Sequence, residues 1–455
     1  MPKQNFQSLH RTTHIKRFVG LHLGLAKKDS AARTLMEIYG PPGIGKTVLL
    51  EQMRDEANRR GWAFANLNSK LTTVKDILNA FIECSSLAPI RPSLSKISNN
   101  DSAQPLTEAR QKILEHIKKA NETERPLIIF CDDMDQVNYQ LPGLKSELLE
   151  PLILSGDCLV VWAARAKPYW QSVEIALNKL DPGPPLAPFS SDEHAELMQA
   201  NLPSSVSWPI ELEYLSGYPI LVARWIELIQ AEPSASEAKC NDLLSSALKF
   251  SVDHALETTP ESWEPYWPAL SVIRPISKDI LDAGSGTTLS HIEYNSLLIE
   301  LKKQGLLTSD GQGSFLSTQF ALLLQTHFKR MCEETIRQVA QRAYEYHCKL
   351  ISDHSLDDGN SVEARWPLYV WGILYYSFPA KQNACSALDR ACQWLIRAVR
   401  NNQIQAFNAI THFDTILKSL DDEDQWRLHQ NNLAQLNQFK DIVRKYMEEL
   451  QGGGA

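Results

Sequence analysis

Eight consecutive residues carry the clearest chemistry in this chain: Gly40-Pro41-Pro42-Gly43-Ile44-Gly45-Lys46-Thr47 fits the pattern G-x-x-x-x-G-K-[ST]. Glycines so placed let successive backbone N–H groups turn inward around phosphate oxygens, Lys46 reaches the β and γ phosphates, and the Thr47 hydroxyl can ligate Mg²⁺. A helix that starts there and runs on through Val48 adds the positive end of its dipole. The ligand implied is ATP or ADP with Mg²⁺. A second group is Pro126-Leu127-Ile128-Ile129-Phe130-Cys131-Asp132-Asp133, a continuous apolar run of the kind buried parallel strands make, ending in acid. Asp132 at that end would hold Mg²⁺ and its water shell, and Asp133 would orient or deprotonate the attacking water. A solvated acidic turn after a core strand looks the same in isolation; its position after a phosphate loop favours the catalytic assignment. A third apolar run, Cys158-Leu159-Val160-Val161-Trp162-Ala163-Ala164, ends in Arg165. That guanidinium would sense the γ-phosphate, or else begin a surface loop as an ordinary cation.

Those side chains need elements to hold them. Leu35-Met36-Glu37-Ile38-Tyr39 reads as a short strand running into the loop, and Thr47 to Met53 as the start of a helix, the order the motif requires. A strand over 61–67 follows, then an amphipathic helix over 74–84 with Ile77, Leu78, Phe81 and Ile82 on one face. Residues 88–105 read as a polar, proline-bearing loop. Helices over 106–120 and 143–154 precede the acidic strand and the Arg165 strand, and 180–186 is a proline-interrupted edge strand. Strands alternating with helices imply an α/β fold with a parallel sheet covered on both faces. A β/α unit separates the acidic strand from the phosphate-loop strand in sequence, which suits a sheet where the two lie together only after an insertion.

At 455 residues and 43% hydrophobic, the chain has room for about three domains with real cores. A net charge of −8 and a pI near 5.9 argue against a general binder of nucleic acid or anionic membrane. The eight cysteines show no C-x-x-C or Cys/His metal spacing, and Cys131 and Cys158 fall in expected core strands. They read as small hydrophobes in a reducing compartment. Met1-Pro2-Lys3-Gln4-Asn5-Phe6 lacks an apolar signal region, and no run approaches the ~18 apolar residues of a membrane span. A cytoplasmic protein without membrane contact is expected, with 451–455 as a flexible tail.

From about residue 190 the alternation stops and helices take over. Ser191-Asp192-Glu193-His194-Ala195-Glu196 is a capped helix start, with Ser190 or Ser191 as the cap and acids in the first turn. Gly217-Tyr218-Pro219 stands directly before another apolar helix. Taken alone, that is a glycine end to one helix and a proline start to the next.

Taken with the phosphate loop, the Asp132-Asp133 strand and the Arg165 strand, it resembles the STAND class of signal-transduction ATPases, the AAA+-related group containing the NACHT and NB-ARC switches. The resemblance implies a P-loop NTPase core over 1–189, a helical lid bundle over 190–262, a winged helix over 263–330 and an all-α C-terminal arm over 331–450. It also implies that Pro219 packs against the nucleotide from the lid. Lys16-Arg17-Phe18-Val19-Gly20 is similar to the family's adenine-flanking start, with Leu21 where an arginine would stand.

For the winged helix, Tyr266 to Ile273, Ser277 to Leu281 and Ser290 to Gln304 would be the three helices and 305–317 the two-stranded wing, with an Asp310-Gly311 turn signal. Such modules commonly bind DNA. Here Arg274, Lys278, Lys302, Lys303, Lys329 and Arg330 are balanced by Glu264, Asp279, Asp282, Glu293, Glu300 and Asp310, so no basic face forms to neutralise phosphates. A structural, nucleotide-sensing wing is favoured over DNA readout. NB-ARC members place Met-His-Asp just after the wing, its histidine on the ADP β-phosphate; this chain has Ser317-Thr318-Gln319, and His327 falls inside the next helix.

The arm is periodic in apolar residues, as at Leu388, Ala391, Leu395 and Ala398, and its aromatic stretch 365–376 reads as a buried helix pair or an exposed partner-binding face. Fewer than 40 residues precede the phosphate loop, so output is expected from an effector or sensor protein in trans or from a nucleotide-dependent homo- or hetero-oligomer, as in a bacterial defence or regulatory system. Two functions follow: a slowly hydrolysing ATP switch, or a DNA-handling AAA+ ATPase of the origin-recognition or transposition-regulator type. Acidity and Gly217-Tyr218-Pro219 favour the switch and make DNA an unlikely partner.

Overall fold

A computed structural model describes residues 11–29, 31–68, 71, 73–82, 110–111, 113–114, 117, 126–134, 143–181, 183, 186–203, 206, 209, 212, 215, 218–232, 235–310, 313–353, 366–380, 382, 384–401, 405–421 and 433–452. The chain forms two compact units, Met1–Thr258 with Ile299–Leu306, and Thr259–Leu298 with Leu307–Ala455.

The first unit is built on five parallel strands. They are β1 (Leu35–Tyr39), β2 (Phe64–Leu67), β3 (Leu127–Cys131), β4 (Cys158–Ala164) and the two-residue β5 (Leu180–Asp181), in the order β2-β3-β4-β1-β5. All five residues of β3 and all seven of β4 are buried, which is why both read as unbroken apolar runs. The strand inserted between β1 and β3 is β4, which comes later in the chain than either; the intervening unit instead puts β2 on the outer edge. β1 and β3 are therefore not neighbours. β4 pairs with both, Tyr39 opposite Ala164 and Cys131 opposite Trp162. With every strand pointing the same way, Gly40, Asp132 and Arg165 leave one edge of the sheet, the carboxyl edge where α/β folds bind ligands.

Helices cover both faces. On one side α1 (Thr12–Ala26) and α2 (Lys46–Arg59) lie over Met36, Ile38, Ile128, Phe130 and Val161. Phe18 of α1 is fully buried there, 5.8 Å from the Phe130 ring and 6.0 Å from Trp62. His22, stacked on Trp62 at 3.8 Å, donates from Nε2 to the Pro126 carbonyl at 2.9 Å and ties α1 to the base of β3. On the other side, α3 (Val74–Ile82), a π-helical turn Leu144–Leu149 and α4 (Glu150–Ser155) cover Leu127, Ile129, Val160 and Trp162. Truncating a ring as central as Phe130 to alanine would cost about 3–5 kcal/mol. The strand expected over 61–67 starts only at Phe64. Residues 83–105 lie outside the described residues, and of the helix expected over 106–120, residues 110, 111, 113, 114 and 117 are helical.

The unit continues in α5 (Ser191–Asn201), α6 (Pro219–Ala231) and α7 (Glu237–Leu256). Ser190 caps α5 in a complete capping box: its hydroxyl accepts from the Glu193 N–H while Glu193 accepts from the Ser190 N–H. Pro219 occupies the first turn of α6, where a missing N–H costs nothing.

The second unit holds a 3-10 turn Glu261–Tyr266, α8 (Trp267–Val272), α9 (Lys278–Ser285) capped by the Ser277 hydroxyl, and most of α10 (His291–Lys303). An antiparallel hairpin follows, β6 (Leu307–Asp310) with β7 (Gly313–Leu316). Then α11 (Thr318–Asp353) runs on past a kink at Cys332, where φ is −152° and ψ is 65°. After it come α12 (Trp366–Ser377), α13 (Cys385–Arg400), α14 (Ala406–Asp421) and α15 (Leu433–Gly452). The aromatic stretch is interior: Trp366, Tyr369, Tyr375 and Tyr376 are buried, and the Trp366 indole donates to the Ala391 carbonyl at 3.0 Å. It is not an exposed partner face. All seven described cysteines are free thiols, and among the described residues no helix is long and apolar enough to cross a membrane.

Candidate nucleotide-binding site

The loop between β1 and α2 is shaped by its glycines. Gly43 and Gly45 have φ of 78° and 94°, left-handed values that a side chain would strain. Gly45 forms the start of α2, so the first turn presents the N–H groups of Lys46, Thr47 and Val48 at the helix's positive end. The Gly40 N–H donates to the Ala164 carbonyl at 3.3 Å, which anchors the loop to the end of β4 beside Arg165. The Lys46 ammonium lies over the loop, donating to the Gly40 and Pro41 carbonyls at 2.7 and 2.9 Å.

The acidic edge faces it. The Thr47 hydroxyl donates to Asp132 Oδ1 at 3.4 Å, so the two residues expected to share a cation do converge. Burial lifts the Asp132 carboxyl above its usual pKa range, and the Thr47 hydrogen bond opposes that shift. A hydroxyl beside a half-desolvated carboxylate is an oxygen donor set that suits Mg²⁺. Thr47 and Asp132 would hold it, and when bound there it would offset the negative charge of the phosphates. Asp133 is also left-handed, with φ of 53°, a conformation Asp tolerates better than most residues and one that occurs where backbone strain serves a site.

Arg165 is not a surface cation. Its side chain is 14% exposed, and Nε lies 3.7 Å from Asp133 Oδ1. Nη1 donates to the Thr258 hydroxyl at 3.0 Å and to the Gln304 side-chain oxygen. One guanidinium thus joins the candidate base to a residue just beyond α7 and to the buried Gln304.

The opposite wall comes from α6, α7 and the residue before α6. The Tyr218 hydroxyl, buried, donates to the Pro42 carbonyl at 2.6 Å, and the Ile220 N–H donates to the Gly43 carbonyl at 3.2 Å. The fit is close: a Cβ on Gly43 would stand 2.6 Å from Ile220 Cγ2 and 3.1 Å from the Tyr218 ring. Between the walls is a cleft of about 530 Å³, lined by residues 42–49, by Asp132, Asp133 and Arg165, and from α6 and α7 by Pro219, Ile220, Ala223 and His254. Arg11 and Phe189 close one end, the guanidinium 4.7 Å over the ring and donating to the Ala187 carbonyl at 2.8 Å. The volume lies in the range of pre-formed small-molecule sites.

Residues 10–161 match the family model described as AAA ATPase domain. The AAA ATPase assignment therefore belongs to residues 10–161, about a third of the chain. That match takes in the phosphate loop and both aspartates and stops inside β4, before Arg165 and α6. A comparison with curated proteins returned no match. Among solved structures, the chain is similar to the Orc1 protein of Aeropyrum pernix in complex with DNA, at 14% identity over 71% of this chain and 94% of that one, TM-score 0.37. Cdc6p from Pyrobaculum aerophilum gives 14%, 73%, 97% and 0.34, and a RuvB mutant from Thermotoga maritima 14%, 72%, 97% and 0.33. At such scores no shared whole-chain fold follows. An ATPase domain implies a nucleotide and Mg²⁺, the ligands for which the loop and the acidic edge have the right groups.

Of the residues expected to hold the phosphates and Mg²⁺ or to act on them, all line this cleft except Gly40 and Pro41, whose carbonyls hold Lys46. The segment 16–20 does not: it lies in the middle of α1 with Phe18 in the core, so the flat groups at the cleft are Arg11 and Phe189 instead. Gly217 lies outside the described residues. Sequence reading missed Tyr218 as a functional group, and with it Ile220, Ala223, His254, Thr258 and Gln304. Only Tyr218, inside an already suspicious tripeptide, had any signal at all.

Proposed function

We propose that this chain is a slowly hydrolysing ATP switch of the STAND kind, in which nucleotide state changes how the lid packs and how the chain assembles with a partner. The reading is supported best by Arg165, a single guanidinium shared among Asp133, Thr258 and Gln304. A γ-phosphate within its reach competes with those three groups for the same donors; a diphosphate does not. ATP and ADP therefore have different affinities for the two arrangements, which is the one way a ligand can shift a conformational equilibrium. In this scheme Lys46 and the loop N–H groups hold the phosphates, Thr47 and Asp132 hold Mg²⁺, Asp133 orients or deprotonates the attacking water, and Pro219 closes over the nucleotide. Residues 263–330 act as a nucleotide-sensing winged helix and 331–450 as the arm, in a cytoplasmic assembly whose effector or sensor is a separate chain.

The test is light scattering with size exclusion, and hydrogen exchange over 190–330, with a non-hydrolysable ATP analogue against ADP. The analogue should give the larger assembly and altered protection of α6 and α7, and Arg165→Ala should weaken both responses. Identical mass and protection in the two nucleotides would leave an ATPase whose turnover serves something other than switching. Because the Aeropyrum pernix structure holds DNA, a duplex titration over increasing salt belongs to the same experiment. Affinity that falls steeply with salt would replace the switch with the DNA-handling reading.

A further inference from the structure

We propose that the helical arm carries a second ligand site, for a small phosphorylated purine compound of the mononucleotide class. A cavity of about 350 Å³ lies among α11, α12 and α13, lined by Cys348, Ile373, Arg390, Gln393, Trp394 and Arg397. Positions 390, 393, 394 and 397 fall on one face of α13 over two turns, so the two arginines flank the tryptophan, about 10 Å apart along the axis. The opposite face, with Leu388, Ala391, Cys392 and Leu395, is buried in the arm's core. These polar and aromatic side chains are therefore not needed to pack the helix.

Charge and hydrogen bonding point the same way. The acid nearest on α13, Asp389, is engaged elsewhere, accepting from the Gln393 amide at 2.8 Å and the Tyr446 hydroxyl at 2.6 Å. Among the described residues neither Arg390 nor Arg397 forms an ion pair with a carboxylate. The Trp394 indole N–H is buried and has no acceptor there. Guanidinium groups recognise phosphate by forked hydrogen bonds, and an indole face stacks on a flat ring. The volume is at the lower end of small-molecule sites, which fits a mononucleotide better than a segment of protein. This site does not depend on the switch reading: none of its residues lines the cleft of the first unit.

The test uses the full chain with Lys46→Ala and a chelator, so that binding at the phosphate loop is weakened, and calorimetric titration with AMP, GMP and cyclic AMP. Adenosine, inorganic phosphate and hexaglutamate are the controls. At least one nucleotide should bind more tightly than adenosine or phosphate alone. Arg390→Gln and Arg397→Gln should each weaken it by roughly tenfold to a hundredfold. Both side chains are exposed, so thermal melting of these variants should be unchanged. Trp394→Leu should weaken binding while Trp394→Phe keeps it. The proposal is overturned if none of the three nucleotides binds, if the arginine variants bind them unchanged, or if hexaglutamate binds more tightly than any of them.

Discussion

The two walls of the nucleotide cleft are built by different means. The phosphate wall consists of backbone N–H groups and an ammonium beyond β1 and two carboxylates beyond β3, two parallel strands with β4 between them. The lid wall is mostly apolar, Pro219, Ile220 and Ala223, and touches the other through one phenol and one amide. Chemistry that must meet a fixed anion needs particular residues at particular spacings. A surface that must only dock and undock needs shape, which many sequences can supply. Substitutions should separate the walls: those on the first should change catalysis and affinity, those on the second the coupling.

The largest effect is expected on the first wall. Asp133→Asn removes the candidate base and leaves Asp132 beside Thr47, so nucleotide should still bind while hydrolysis falls by ~10² to 10⁴. Single-turnover hydrolysis decides it, and an unchanged rate would move the role to another group. Next comes Lys46→Ala. Losing one charge-assisted contact of about 1.5–3 kcal/mol should cost roughly tenfold to a hundredfold in ATP affinity by calorimetry, without unfolding the chain. Equal affinity and turnover would remove the phosphate loop from the site.

Gly43 belongs to both walls, and its substitution should damage both. Gly43→Ala places a methyl 2.6 Å from Ile220 at a φ of 78°. Backbone strain and displacement of α6 together should cost about 1–3 kcal/mol, read as a lower melting temperature together with weaker ATP binding. A variant with wild-type melting and affinity would mean that the lid does not hold this contact in solution.

How much could be read beforehand follows the same division. Local rules place the phosphate wall: glycines before a helix, apolar runs ending in Asp132 and Arg165, the Ser190 capping box. The order of strands was less legible, because the insertion of β4 between β1 and β3 is a long-range pairing that no local pattern encodes. Arg165 was visible only as the last residue of a run; that Thr258 and Gln304 share it depends on residues 93 and 139 positions away. Phe18 misled for a physical reason. A phenylalanine flanked by Val19 and Leu21 reads equally as a ligand-facing motif or as the apolar stripe of a helix, and the core needed it.

The smallest expected effect is the most discriminating. Tyr218→Phe keeps the ring that packs on Gly43 and removes only the hydroxyl that donates to Pro42. A net hydrogen bond is worth about 1 kcal/mol, somewhat more when the carbonyl left behind is buried. Such a loss raises the population of an undocked lid by roughly fivefold. The phenol makes no part of the phosphate wall, so ATP affinity and single-turnover hydrolysis should stay within about twofold. Hydrogen exchange at the amides of Ile220 to Ala223 should quicken by the full factor, and the difference between ATP analogue and ADP should shrink. If protection of α6 is unchanged, the bond does not hold the lid. If hydrolysis falls as far as in Asp133→Asn, the two walls are a single catalytic unit and the division drawn between them is wrong.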